Sequence, residues 1–256
     1  MNKVLIPFLV ASTVFSVSMA HNESVGLIKV EPTQAEEKAA EPNSVVILFT
    51  GDIMLGRYIA TLRERNGGDF PFTYMPDILA AGKAAIGEDE IDLVLANLEG
   101  PIVEKQVAYG DMVFRFAPET ATLLEKVGFT TVSLANNHTF NQKRAGFTET
   151  RDWLTKAGVD SFGQPDTIDA EWSTKIYEID GVKIGFLGLN DVDFKLSHEY
   201  TFSKIAELDK QVDFLIVGIH WGIEYKTTAS EYMTTLAHGF VDSGADMIWG
   251  QHPHVV

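Results

Sequence analysis

Five short apolar stretches of the sequence each end in side chains that can bind a metal ion or transfer a proton. The stretches and the polar residues that follow them are Val45–Phe49 with Asp52, Leu93–Ala96 with Glu99, Thr130–Leu134 with Asn136, Asn137 and His138, Phe214–Ile219 with His220, and Met247–Trp249 with His252 and His254. Because the carboxyl ends of parallel strands meet at one edge of a sheet, we expect these side chains to converge. Carboxylates, amides and imidazoles form a mixed oxygen and nitrogen ligand set that suits a transition metal.

Each of these signals is weak when it stands alone. Asp52 follows Gly51, and a Gly-Asp pair after a strand is often only a turn. A histidine at a strand end is more often a structural residue than a ligand. His252-Pro253-His254 is the most specific local pattern, because Pro253 restricts both neighbours and biases His252 toward an extended backbone. The alternative there is a loop with two exposed histidines, so the prediction of a metal site depends on the five strand ends together.

One basic residue stands close to these positions. Arg57 lies five residues after Asp52, where the sequence predicts the start of the next helix. A guanidinium at that point could hold a phosphate or a carboxylate through two parallel hydrogen bonds. A surface ion pair is the alternative interpretation of Arg57.

The elements that must position these residues alternate between short β-branched stretches and amphipathic ones, which predicts an α/β fold with a buried sheet. A sixth predicted strand, Lys183–Leu189, joins the five above. The predicted helices are Pro118–Val127, Gly146–Ala157 and Ser230–Asp242. Two prolines and a Gly-Gly pair break up residues 66–77, which we therefore expect to be a loop.

The composition excludes several classes of function. The chain has 256 residues, of which 45% are hydrophobic and 22% charged, which is typical of a globular protein. Its net charge of −16 at pH 7 argues against a nucleic-acid backbone as the main partner. The absence of cysteine excludes disulfide scaffolds, thiolate metal sites and cysteine nucleophiles.

The N-terminus has the three-part layout of a secretory signal peptide over residues 1–20. Lys3 precedes the apolar stretch Val4 to Val17, and Ser18-Met19-Ala20 supplies the small residues of a cleavage site. An uncleaved membrane anchor is the alternative. Residues 21–43 are acidic and lack aromatic side chains, so we expect a flexible linker there, followed by one domain over residues 44–256.

Five ordered blocks of the sequence resemble the CapA family of bacterial capsule synthesis proteins, which is linked to poly-γ-glutamate. The blocks are Gly51-Asp52-Ile53-Met54-Leu55-Gly56-Arg57, Asn97-Leu98-Glu99-Gly100-Pro101-Ile102, Leu134-Ala135-Asn136-Asn137-His138, His220-Trp221-Gly222-Ile223-Glu224-Tyr225 and Gly250-Gln251-His252-Pro253-His254-Val255. This family is similar to the calcineurin-like metallophosphoesterases. The resemblance implies their α/β/β/α sandwich around a two-metal centre. It also implies further strands after Val256, so we expect the sequence to be truncated at its C-terminus.

The resemblance implies a role for each of the candidate residues. One metal ion would be bound by Glu99, Asn137, His220 and His252, and the other by Asp52, Glu99 and His254. His138 would be the catalytic histidine, and Arg57 would hold the substrate. Met54 stands where the phosphoesterases have a histidine, and a thioether is a poor substitute for imidazole. We therefore expect one tightly held Mn, Fe or Zn ion and a weaker or absent second ion.

Three functional hypotheses follow. The first is an exported protein in the synthesis, export or anchoring of capsular poly-γ-glutamate, with a phosphoesterase-like metal site. The second, the main alternative to the first, is an active extracytoplasmic two-metal phosphoesterase, in which His138 protonates the leaving oxygen. The third is a relic of the fold that binds no metal. The expected partners are an anionic polymer or a phosphoester substrate and capsule-synthesis proteins of the membrane, and no nucleic acid.

Overall fold

The computed structural model describes residues 26–30, 44–87, 90–168 and 171–255, with the backbone alone for the first of these ranges. Their strands form two sheets. The first sheet has the order β1-β2-β3-β4-β5, in which β1 is antiparallel to β2 and the other neighbours are parallel. Its strands are Gly26–Val30, Val45–Ile53, Leu93–Leu98, Thr131–Ser133 and Asp160–Phe162.

The second sheet has the order β6-β7-β8-β9, in which β6 and β7 form an antiparallel hairpin and the remaining pairs are parallel. Its strands are Thr174–Ile179, Val182–Asn190, Phe214–His220 and Met247–Gln251. The helices α1 to α6 are Arg57–Asn66, Met75–Ile86, Glu119–Lys126, Lys143–Ala157, His198–Leu208 and Glu231–Asp242. Short 3-10 helices are Phe72–Tyr74, Thr139–Gln142 and Asp209–Gln211. Among the described residues, no helix combines the length and the apolar character that crossing a membrane requires.

Three apolar clusters hold these elements together in four layers. The cluster between the sheets includes Ile47 of β2 and Phe186 of β7. A second cluster, which includes Leu124 and Phe147, packs the outer face of the first sheet against helices. A third, which includes Phe240, does the same for the second sheet. The layers are therefore helix, sheet, sheet and helix, the predicted α/β/β/α sandwich.

All six predicted strands and all three predicted helices are present, with ends shifted by a few residues. The loop predicted over residues 66–77 is present over residues 67–71, but the prediction is wrong from residue 72, where the 3-10 helix Phe72–Tyr74 leads into α2 at Met75. Pro76 lies in the first turn of α2, where a proline is favoured since no backbone N–H is needed there. Phe72 and Met75 are buried in the core, and their burial offsets the cost of ordering this segment.

The predicted signal peptide, residues 1–20, lies outside the described residues, and so does most of the linker predicted over residues 21–43. Gly26–Val30 is an exception to that prediction, because it forms β1 and pairs with Val45–Phe49 of β2. This part of the segment is an edge strand and not a linker. Its sequence, GLIKV, contains the apolar and β-branched residues that favour a strand.

A contact between two glycines brings the two sheets close together at one edge. A Cβ atom added to Gly188 of β7 would lie 2.6 Å from the Cα atom of Gly163, which directly follows β5. No side chain fits between backbones at that distance. Gly188 therefore allows β7, whose last residue Asn190 pairs with His220, to lie close to the first sheet.

We predict that Gly188→Ala lowers the free energy of unfolding by about 1–3 kcal/mol, because the added methyl group pushes the sheets apart. Gly68→Ala is the control, since a Cβ atom at Gly68 meets no atom within 4 Å. Urea denaturation of both variants measures the difference. Equal stability of the two variants would contradict the close approach of the sheets.

Candidate metal centre

Four strand ends meet around the carboxylate of Glu99, which follows β3 and is only 1% exposed. Its Oε1 atom lies 3.7 Å from Nε2 of His220, at the end of β8. That nitrogen lies 3.2 Å from Nδ1 of His252, which follows β9, and 3.0 Å from Oδ1 of Asn137. The first predicted ligand group, Glu99, Asn137, His220 and His252, is therefore brought together.

The other oxygen of Glu99 faces the second predicted group. Its Oε2 atom lies 3.2 Å from Nε2 of His254, and the same nitrogen lies 3.6 Å from Oδ2 of Asp52. The ligand atoms of Asp52, Glu99 and His254 all lie within 4.8 Å of one another. Glu99 thus presents one oxygen to each group, which is the arrangement of a carboxylate that bridges two ions.

The distances fit metal ligation. Two ligand atoms that are each about 2.1 Å from the same ion lie about 3.0–3.4 Å apart in tetrahedral or octahedral geometry. The contacts of His220 with Asn137 and His252, at 3.0 and 3.2 Å, fall in this range. Imidazole nitrogens, carboxylate oxygens and an amide oxygen suit a divalent ion such as Mn, Fe or Zn. The 3.7 Å between Glu99 and His220 and the 3.6 Å between Asp52 and His254 are longer, so these side chains would move by a few tenths of an ångström to bind a divalent ion.

Burial and neighbouring charges determine the protonation of the cluster. Burial alone would raise the pKa of the Glu99 carboxyl, but the hydrogen bond and charge of His220 and the charges of His254 and His138 lower it below its ordinary value. Burial, followed by the charge of His220, lowers the pKa of His252. Glu99 thus favours its ionised form and His252 its neutral form, and both are the forms that bind a metal ion.

Two buried asparagines, Asn97 and Asn136, fix the position of Asp52. Asn97 donates from Nδ2 to Oδ1 of Asp52 at 2.7 Å, and its own Oδ1 accepts a hydrogen bond from Asn136 at 3.0 Å. Asn136 also accepts the backbone N–H of His138 at 3.1 Å. The sequence pattern does not indicate these positioning roles. The available signal was a polar residue, Asn97, inside the otherwise apolar strand Leu93–Leu98.

His138 has a defined tautomer. Oδ1 of Asn141 accepts the backbone N–H of Phe114 at 2.7 Å, and this fixes the orientation of the Asn141 amide. The same oxygen lies 3.0 Å from Nδ1 of His138, so Nδ1 carries a proton and donates it. Nε2 of His138 then lies 3.8 Å from Oε1 of Glu99, and the ring of Phe114 stacks on the imidazole at 4.1 Å. Nε2 is thereby held beside the metal ligands, where it can accept or deliver a proton.

The loop His252-Pro253-His254 differs from the sequence prediction. His252 has a φ of 93° and His254 a φ of 54°, so His252 is not extended as the following proline predicted. Such backbone conformations cost about 1–3 kcal/mol each and persist where surrounding contacts hold them. Asp52 accepts the backbone N–H of His252 at 3.0 Å, and Tyr225 donates its N–H to the Pro253 carbonyl at 2.7 Å. These bonds hold both imidazoles toward Glu99.

Four of the candidate metal ligands, Asp52, Glu99, His252 and His254, line an open cavity of about 1190 Å³. Arg57 is exposed at the start of α1 and lines this cavity, as does Met54. The Met54 sulfur accepts the backbone N–H of Gly56 at 3.2 Å, and the side chain packs on the apolar core. Trp221 belongs to the core of the second sheet, whereas Tyr225 is exposed and lines the cavity. The structure thus places Arg57 where it can reach a ligand in the cavity.

Comparison with known proteins identifies relatives of this chain. A family model described as bacterial capsule synthesis protein PGA_cap matches residues 46–256. The PGA biosynthesis protein CapA of Bacillus subtilis strain 168 is 30% identical over 225 residues, which cover 81% of this chain and 57% of that protein. The capsule biosynthesis protein CapA of Bacillus anthracis is 26% identical over 244 residues, which cover 87% of this chain and 57% of that protein. The chain thus spans little more than half the length of these two relatives.

Among solved structures, a novel phosphatase from Mycoplasma pneumoniae has a similar fold, with a TM-score of 0.50 and 18% identity. The match covers 83% of this chain and 66% of that protein. At this identity the likeness shows the fold alone. The shared fold is consistent with the α/β/β/α sandwich that the sequence resemblance implied.

We predict that the purified protein binds a divalent transition metal and that His220→Ala weakens binding by at least about ten-fold, because a ligand shared by the cluster is lost. His238→Ala is the control, since His238 is exposed on α6. Elemental analysis after dialysis against limiting metal measures occupancy, and circular dichroism checks that each variant is folded. A folded His220→Ala protein that retains the wild-type metal content would contradict the assignment.

Proposed function

This chain belongs to the bacterial capsule synthesis protein family, and we propose that it serves the synthesis, export or anchoring of a capsular polyanion of the poly-γ-glutamate type. In this proposal the metal centre binds the carboxylate groups of the polymer. The observation that carries the proposal is the Glu99 cluster at one side of an open cavity. Binding of a polymer carboxylate to a metal ion requires no bond to be made or broken in the polymer. One well-formed metal site is therefore sufficient for this function.

The charge of the chain supports a local binding site for a polyanion. A net charge of −16 repels an anionic polymer over most of the surface. Attraction must therefore come from specific cations inside the cavity. The chain offers Arg57 at the cavity wall, and the Glu99 cluster would supply a bound divalent ion. Both kinds of cation bind carboxylate groups.

Export is part of the proposal. Residues 1–20 have the layout of a signal peptide, and an exported position would bring the domain to the place where a capsule is assembled. Retention of that segment as an anchor would instead hold the domain at the membrane. In either case the proposed partners are the polymer and the membrane proteins of capsule synthesis. For the metal we propose Mn, Fe or Zn, with one ion held tightly and a second held weakly or not at all.

An active two-metal phosphoesterase is the second candidate, and the geometry of His138 favours it. Because Nδ1 of His138 donates to Asn141, Nε2 faces Glu99, and the imidazolium formed when Nε2 takes up a proton could pass that proton to a leaving oxygen. Arg57 could bind the non-reacting phosphoryl oxygens. Two divalent ions would supply stabilisation of the charge that develops on the phosphoryl group. Met54 opposes this candidate, because it places a thioether where a second imidazole would complete the group of Asp52, Glu99 and His254.

For the capsule function, we predict that metal-loaded protein binds poly-γ-glutamate and that a chelator abolishes this binding. Arg57→Ala should weaken it by about five- to thirty-fold, because a charge-assisted hydrogen bond is lost. Arg65→Ala is the matched control, since Arg65 is an exposed arginine on the same helix. Isothermal titration calorimetry with polymer of defined length measures both. Polymer binding that is unaffected by the chelator would contradict the proposal.

For the phosphoesterase function, we predict that Met54→His raises occupancy of the second metal and creates or increases hydrolysis of bis(p-nitrophenyl) phosphate. Met54→Ala is the control, because it removes the thioether without adding a ligand. Metal stoichiometry and the hydrolysis rate are measured together. Adding His138→Ala to the Met54→His variant should lower the rate by about 10²–10⁴-fold and leave metal content nearly unchanged.

Two outcomes would each contradict one of these functions. A wild-type protein that already holds two ions and hydrolyses the diester rapidly would show that the site tolerates Met54. A Met54→His variant that holds two ions but remains inactive would exclude the phosphoesterase and leave the polymer-binding function.

A further inference from the structure

A second, smaller cavity of about 220 Å³ lies beside the end of β7 and the first turn of α5. It is smaller than the roughly 300–1,000 Å³ of sites for drug-sized ligands, so it suits a single ring. Neither the metal ligands nor Arg57 line it. The side chains that define its chemistry are Gln164, Asp166, Asn190, Phe194, Tyr200 and Thr201.

The hydroxyl of Thr201 is the first indication that this cavity binds a ligand. Thr201 lies on α5, is fully buried at 0% exposure and lines the cavity. Among the described parts of the chain, its Oγ1 atom has no hydrogen-bond partner. A buried hydroxyl without a partner is costly, so such a group in a cavity wall calls for a polar ligand.

Two buried amides beside Thr201 are held in fixed orientations. Asn190 accepts the backbone N–H of Val192 at 3.1 Å and donates to the Pro165 carbonyl at 3.3 Å. Gln164 donates to Oδ1 of Asp166 at 3.0 Å. Both amides are at least nine-tenths buried. Their planes are therefore set before a ligand arrives, and they add acceptors and donors that match hydroxyl groups.

Aromatic side chains add apolar surface to the same cavity. Phe194 and Tyr200 line it and remain 44% and 46% exposed. The Tyr200 hydroxyl donates to the Ile168 carbonyl at 2.9 Å, which holds its ring in place. Exposed aromatic rings beside planar polar side chains can pack on the C–H face of a sugar while the polar groups bind its hydroxyls.

The two charged side chains among the described residues that line the cavity, Asp166 and Lys195, are both paired. Asp166 forms an ion pair with Arg144, and Lys195 forms one with the buried Asp191 at 3.1 Å. Lys195 also donates to the backbone carbonyl of Asp191. Within these two pairs neither sign of charge is in excess, so they give no preference to an anion such as phosphate or glutamate.

We propose that this cavity binds a neutral sugar ring, with Thr201 as the buried hydrogen-bond partner and Phe194 as an apolar platform. The site lies next to the metal centre in the sheet, because Asn190 pairs with His220 in the register of β7 and β8. The Asp191 backbone N–H also donates to the His220 carbonyl at 2.9 Å. The inference goes beyond the proposed function and does not require a metal ion.

The test is saturation-transfer difference NMR and calorimetric titration of the whole protein with glucose, galactose and N-acetylglucosamine. We expect millimolar binding of at least one of these sugars, unchanged by a chelator and not displaced by glutamate or phosphate. Thr201→Val and Phe194→Ala should each weaken binding by about five-fold or more. Tyr74→Ala, which removes an exposed aromatic ring outside both cavities, should bind as the wild type does.

Thermal unfolding provides a second readout for Thr201→Val. Because valine has the same shape and no unpaired hydroxyl, we expect an unchanged or higher midpoint. A lower midpoint would show that the hydroxyl is paired within the protein, and this would overturn the proposal. Absence of binding by every sugar at tens of millimolar, equal binding by both variants and the wild type, or loss of binding with chelator would each overturn it as well.

Discussion

A buried carboxylate surrounded by imidazoles is the constraint around which the site is built. Burying Glu99 as an anion costs several kcal/mol unless positive charge compensates it. The lowered pKa of Glu99 shows that its surroundings favour the anion, while the lowered pKa of His252 shows that this imidazole resists protonation. A divalent ion resolves both requirements, since it supplies the charge and binds imidazole in its neutral form. The two oxygens of Glu99 divide the remaining ligands into two groups.

The sandwich brings these ligands together from distant parts of the chain. Asp52 and Glu99 come from the first sheet, and His220 and His252 from the second. The apolar cluster between the sheets fixes their separation, and the close approach of Gly188 to Gly163 limits it at one edge. Packing therefore sets the geometry in which the ligand atoms lie a few ångströms apart.

The sequence was sufficient to predict the strands that carry the ligands, because apolar β-branched stretches followed by polar residues are a local signal. It was not sufficient for features that depend on tertiary contacts. Met75 begins a helix in a segment that its prolines and glycines marked as a loop, since burial outweighed local propensity. The positive φ of His252 depends on Asp52, which is 200 residues away. The pairing of Asn97 with Asp52 likewise needs the register of β2 and β3.

Anomalous X-ray diffraction from crystals of the metal-loaded protein shows whether the Glu99 cluster binds a divalent ion. Data at the absorption edge of Mn or Zn locate the ion independently of any assay of function. We expect a peak about 2.1 Å from Nε2 of His220 and Nδ1 of His252, in contact with Glu99. A peak confined to surface carboxylates, or a cluster around Glu99 without an ion in metal-loaded crystals, would contradict this expectation.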